Sequence, residues 1–257
     1  MPPVAKPLVY LILGATGSGR RAVFADLIES GLLATDRPAV MLAVSEPADE
    51  VDARLPNLTR WEWRDDMIAG KLPGEATQVF FFTDGHGNPV DQIEVFKPWL
   101  DAQGGELARV LTVVNTRLVE QNPSLLAWFD ACVHFSDVTL LNCREGVANK
   151  WLSTFLGHFR DQFIPCLFEM VKESRVKNPP LILEPEARRM SHYFDEEQDW
   201  VFTNLDGKVI DEEEESSDGE DEIEAKPAED PYFERLNGGR RVKQIPDIAK
   251  LLPPAAS

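Results

Sequence analysis

Residues Val9, Tyr10, Leu11, Ile12 and Leu13 form an uninterrupted apolar run that stops at Gly14. Such a run, closed by a glycine turn, predicts a strand over 8–13 buried on both faces. Helical spacing follows over 20–32, where Val23, Phe24, Leu27 and Ile28 share one face and Gly31 closes the segment. The alternation then repeats. Apolar runs predict strands at 38–44, 78–83, 107–115 and 137–142. Helical patterns fall at 90–102, over 122–132 with Pro123 near the first turn, and over 147–174 with a break at Pro165. Residues 46–60 are polar, carry Pro47 and Pro56, and are expected to be irregular. None of the strands alternates polar with apolar positions. A doubly wound, mostly parallel α/β sheet with both faces covered is therefore expected for residues 1–175.

The pattern breaks after residue 175. Residues 176–204 are expected to be a helical extension, with one helix and a short extended piece within 186–204. Residues 205–230 form an acidic linker that lacks the apolar surface to fold, so the fold ends in a disordered acidic C-terminal tail. Residues 231–257 regain Tyr232, Phe233, Leu236, Ile245, Ile248, Leu251 and Leu252 around the basic group Arg240, Arg241 and Lys243. They read as a docking segment, either for an unknown protein partner reached together with the acidic tail, or for the chain's own domain.

Charge sharpens this division. The net charge is −18, but residues 211–230 hold twelve acids and one Lys, and without them it falls to −7. A body of that sign has no basic surface for phosphates, so nucleic acid is not an expected partner. No apolar run approaches the ~20 residues of a membrane span, and no membrane contact is expected. The N-terminal run leads into the glycine turn without a small-residue cleavage site, which reads as a first strand of a cytoplasmic protein. Cys132, Cys143 and Cys166 are widely spaced and form no C-x-x-C pair, so buried thiols are expected, with no disulfide and no zinc site.

The candidate chemistry lies in the turn after the first strand: Gly14, Ala15, Thr16, Gly17, Ser18, Gly19, Arg20 and Arg21. Gly14 and Gly19 keep the G-x-x-x-x-G spacing of a phosphate-binding loop, in which backbone amides and a helix N-terminus wrap phosphates. The Lys of that motif is Arg20, and the hydroxyl that ligates magnesium is Arg21. A rival reading is a dinucleotide turn with Glu46 on the ribose. It requires a third glycine where Arg20 stands, and no Tyr-x-x-x-Lys pair supports a reductase. His86 with Asp84 could form an acid–base pair on a turn after a strand, or be plain turn residues. His134, His158 and His192 stand in unrelated contexts. No Ser-His-Asp set with a nucleophile elbow is present, and no catalytic residue is assigned.

Three later stretches complete a pattern: Phe82 to Pro89 after one strand, Thr112 to Asn115 at the end of the next, and Leu140 to Glu145 at the end of the one after. With the glycine loop, their order resembles the CobW family of P-loop GTPases over residues 8–170. The resemblance implies a P-loop GTPase fold, a GTP or GDP ligand, a switch-like turn at Asp84, Gly85 and His86, and guanine contacts from Asn142 and Glu145. The departures fall together. Arg20 and Arg21 replace the Lys and the hydroxyl, Phe82 stands where an acid opens the second motif, and Asn115 replaces the acid of the V-V-D strand end. Cys143 and Glu145 alter the guanine motif, and no cysteine-rich metal motif lies in 61–73. Magnesium is thus doubtful, hydrolysis is expected to be inefficient, and metal delivery is disfavoured. The expectation is a degenerate pseudo-GTPase that holds nucleotide or contacts proteins. The alternatives are an atypical active GTPase of CobW type, which as an enzyme would be a GTP hydrolase, and an NAD(P)-binding reductase-like Rossmann protein.

Overall fold

The computed structural model describes residues 6–195 and 230–252. The predicted strands appear as β1 (Leu8–Leu13), β2 (Pro38–Ala43), β5 (Gln78–Phe82), β6 (Glu106–Asn115) and β7 (Val138–Asn142). Three further strands were not expected. Thr59–Arg64 (β3) and Met67–Ala69 (β4) form an antiparallel hairpin turned at Asp65 and Asp66, both at positive φ. Leu167–Met170 (β8) replaces the second half of the helix expected over 147–174. Pro165 ends that helical pattern, and Leu167 to Met170 pair in parallel with β7 instead.

The helices are α1 (Arg20–Gly31), α2 (Pro89–Gln103), α3 (Thr116–Gln121), α4 (Leu126–His134), α5 (Asn149–Asp161) and α6 (Pro179–Leu183). Helix α2 starts with Pro89 behind the Asn88 cap and stops at Gly104, φ 69°. It contains Pro98, whose missing N–H leaves the carbonyl of Glu94 without its helical donor. The Tyr193 hydroxyl donates to that carbonyl at 2.9 Å.

Eight strands form one sheet in the order β4-β3-β2-β5-β1-β6-β7-β8, parallel except for β4. Val9, Leu11 and Leu13 face a core layer shared with α2, α4 and α5, while Tyr10 and Ile12 face α1 and α6. This is a doubly wound, P-loop NTPase-like α/β fold. The order excludes the dinucleotide alternative. In a Rossmann sheet the strand reached through the first helix lies beside the first strand. Here β5 lies between β1 and β2 and pairs in parallel with both.

The segments beyond the sheet differ from expectation. Among the described residues of 186–195 no helix forms. Buried Arg109 of β6 instead donates to the carbonyls of Leu181, Ile182 and Glu186 and holds that stretch on the sheet. The expected disorder of the acidic linker falls on residues outside those described. Residues 230–252 pack back on the chain's own domain: Tyr232, Phe233 and Ile248 are buried in the core layer with Phe135 and Phe96. Asp230 accepts from Ser191 Oγ at 2.5 Å and pairs with His134 Nε2 at 2.8 Å. Ser191 and Asp230, 39 residues apart in sequence, thus meet at one corner of the domain.

Candidate functional site

The carboxyl ends of β1, β5, β6 and β7 bring the predicted residues together, with Glu46 entering beyond the end of β2. Gly14, Gly17 and Gly19 all have positive φ, at 133°, 79° and 79°. Gly19 caps α1 in the left-handed region, with no side-chain cap and no acid in the first turn. The first helical bond runs from Val23 N to Gly19 O at 3.1 Å. The amides of Arg20, Arg21 and Ala22 therefore precede the helical ladder and carry the positive end of its dipole. Ser18 is fully buried, and its Oγ has no hydrogen-bond partner.

Both arginines turn away from the loop. Arg20 runs beneath it: Nη1 donates to Thr83 O at 2.8 Å, and Nη2 pairs with Glu46 Oε1. Arg21 Nη2 meets Glu46 Oε2 at 2.9 Å, and its Nη1 reaches Pro47 O at 2.8 Å and Asp52 Oδ1 at 3.0 Å. Burial lowers the Arg20 guanidinium from its usual range, with Glu46 and Asp84 acting against it. Burial would raise the Glu46 carboxyl, but Arg20, the Gly85 amide and Arg21 outweigh it and hold it low. Glu46 is thus the counter-charge to two arginines. In the sequence alone Glu46 fits only the place of a ribose acid. The signal was two adjacent arginines at a helix start that needed a partner.

Three polar contacts tie neighbouring loops to the glycine loop. Thr16 N donates to Gly85 O at 3.1 Å, Asn115 Nδ2 to Gly17 O at 3.1 Å, and Asn142 Nδ2 to Ser18 O at 2.9 Å. The turn at Asp84 is fixed from behind by Gln92. Its amide accepts from Asp84 N at 2.6 Å and donates to Asp84 O at 2.9 Å. Glu145 lies exposed in the turn after β7, away from these contacts. Asp84 and His86 do meet, with Oδ1 and Nδ1 3.3 Å apart, and His86 Nδ1 also lies 3.3 Å from Thr16 Oγ1.

Glu46, Asp84 and His86 each offer one ligand atom within 4.8 Å of the others. The expectation of no zinc site came from the lack of a cysteine set, and this group does not support it. Its members come from two separate loops and leave no spacing in the sequence. Glu46 already accepts from Arg20, Arg21, Gly85 N and Thr16 Oγ1, so a cation here competes with a guanidinium. The other three histidines each pair with an aspartate: His134 with Asp230, His158 with Asp130 and His192 with Asp195.

No protein-family model and no curated protein matches the sequence. Among solved structures the chain is similar to zinc-bound YjiA GTPase from E. coli, at 13% identity and a TM-score of 0.41, over 72% of this chain and 67% of that one. A zinc-bound triple mutant of YjiA GTPase matches at 14% and 0.41 over the same shares. The hydrogenase maturation factor HypB from Archaeoglobus fulgidus matches at 14% and 0.42, over 64% of this chain and 81% of that one. Strand order and the glycine loop define the fold without these likenesses. Among the described residues no helix is long and apolar enough to cross a membrane.

Proposed function

We propose that the chain is a pseudo-GTPase of CobW-type descent that holds the phosphates of a nucleotide on backbone amides and does not hydrolyse it efficiently. One observation carries this reading: the side chain in the Lys position of the loop is folded under it onto Glu46 and Thr83, while the first amides of α1 and the Ser18 hydroxyl stay uncommitted. Phosphoryl transfer needs a cation on the developing charge. Arg20 and Arg21 are engaged by carboxylates, and Arg21 offers magnesium no oxygen. The amides at the helix start remain a ready anion site. Output then passes through a protein partner of the acidic stretch, since residues 230–252 are engaged on the chain's own domain.

Calorimetric titration with GTP, GDP, ATP and NADPH, each with and without magnesium, tests this. Guanine-selective heat that magnesium does not change is expected. Absence of heat from all four nucleotides overturns the reading. Magnesium-dependent heat with phosphate release instead favours the atypical active GTPase.

A second reading has its own support in Glu46, Asp84 and His86. Zinc held there would displace Arg20 from Glu46, and zinc titration of the Glu46→Gln variant against the parent separates the two. Equal zinc affinity in both proteins removes this reading.

A further inference from the structure

The C-terminal segment covers the outer side of α2, and what it grips there leads back to the glycine loop. Arg241, 8% exposed, donates from Nε and Nη2 to Asp91 Oδ1 at 3.0 and 2.8 Å and pairs with Glu94. Its Nη1 donates to Tyr232 O at 3.1 Å, and the guanidinium lies over the Phe233 ring, 5.6 Å from the centroid. Arg235 also reaches Glu94, at 2.7 Å. Phe233 packs on Tyr193 with centroids 4.4 Å apart, and Tyr193 supplies the donor that Pro98 withholds from Glu94 O. The segment therefore packs on the tyrosine that mends the break in α2 and neutralises the acids of its first turns.

Asp91 is followed by Gln92, whose amide clips both backbone groups of Asp84. The next residue, Gly85, accepts from Thr16 N at 3.1 Å and donates to Glu46 Oε1 at 3.1 Å. An unbroken series of contacts runs from Arg241 through the start of α2 and Gln92 to the glycine loop. A Cβ on Gly85 would lie 2.4 Å from Thr16 N, so the turn and loop are in close contact.

We propose that residues 230–252 are a built-in peptide ligand of the α2–α4 face, and that their attachment clamps the Asp84–Asn88 turn onto the glycine loop. The ligand is read as two aromatics in an apolar seat beside Phe135, with an arginine eight residues beyond the second aromatic placed between two helix carboxylates. Because it is joined through the acidic stretch, it acts at a high local concentration. A partner of the same chemistry competes for the same seat. The proposal concerns the protein's own contacts and stands whether or not the loop takes a nucleotide.

Amide hydrogen exchange on the full chain tests it, with Arg241→Ala and, from the other side of the contact, Asp91→Asn. Amides of residues 84–93 are expected to exchange at least about tenfold faster in both variants, while those of β1 and β6 keep their protection. Excess synthetic peptide spanning residues 230–252 is expected to restore protection at 84–93 in Arg241→Ala. Unchanged exchange at 84–93 with residues 232–248 freed would show docking without a clamp and overturn the proposal. Protection lost throughout β1 and β6 in both variants overturns it as well, because the segment would then be holding the whole sheet.

Discussion

The guanidinium of Arg20 and the carboxylate of Glu46 form an ion pair beneath the glycine loop, with only 4% and 6% of the two side chains exposed. The pair links the first residue of α1 to the end of β2, and through Thr83 O to the end of β5. It holds the Arg20 guanidinium beneath the loop, already matched by a carboxylate.

Removing Glu46 strands the buried Arg20 guanidinium, whereas removing Arg20 leaves Glu46 with Arg21. Glu46→Leu is expected to lower unfolding free energy in urea by about 3–5 kcal/mol, and Arg20→Met by less. The double variant is expected to lose much less than the sum, because neither charge is then left alone. Strictly additive losses would mean that the two side chains do not act as a pair.

Gly17 and Gly19 share a φ of 79° but differ in surroundings. A Cβ at Gly17 meets nothing within 4 Å, whereas one at Gly19 lies 2.5 Å from Asn142 Nδ2. Gly17→Ala is expected to show only the left-handed backbone cost of about 1–2 kcal/mol. Gly19→Ala is expected to cost more, and Asn142→Ala in the same chain to return it to the Gly17→Ala level. Equal thermal stabilities for the two single variants would count against the close approach of Asn142.

Stability is expected to fall at both ends of the pH range. Glu46 and Asp230 have folded values below their usual 4.5 and 3.8; for Asp230, burial raises the carboxyl, but hydrogen bonds from His134, Ser191 and Tyr232 N outweigh it. A carboxyl held low stabilises the fold above its unfolded value, and that contribution disappears as pH falls through the folded value. Burial raises all three tyrosines: Tyr10 to about 12 against Arg109, Tyr193 with Glu94 and Asp101, and Tyr232 with Asp130. Their contribution is complete below pH 10 and fades as pH rises through the folded values. An absorbance titration at 295 nm should therefore show less than half of the tyrosine ionised at pH 10 while the protein stays folded. A normal phenol titration centred there would contradict their burial.

Sequence legibility followed contact range. The runs at 8–13, 78–83 and 107–115 were readable because strands buried on both faces leave no polar positions. The glycine loop was readable because its backbone demands small residues at fixed spacing. Strand β8 was lost because four residues after Pro165 cannot reveal by periodicity that they pair with β7. Hairpin β3–β4 was lost because its pairing is set by an exposed turn at Asp65 and Asp66. The direction of Arg20 was illegible for another reason: its partner stands 26 residues away in sequence, in the turn after β2. The same holds for Arg241, 150 residues from Asp91.

The corner where Asp230 meets Ser191 has a consequence for how the chain can vary. The Ser191–Asp230 contact closes a loop of 39 residues in the sequence. The entropic cost of closing such a stretch grows only with the logarithm of its length. Whole blocks of acids can be gained, lost or exchanged for unrelated sequence between these two posts while the clamp on α2 stays in place. The corner is therefore a natural point for splicing a reporter or a foreign recognition sequence into the protein.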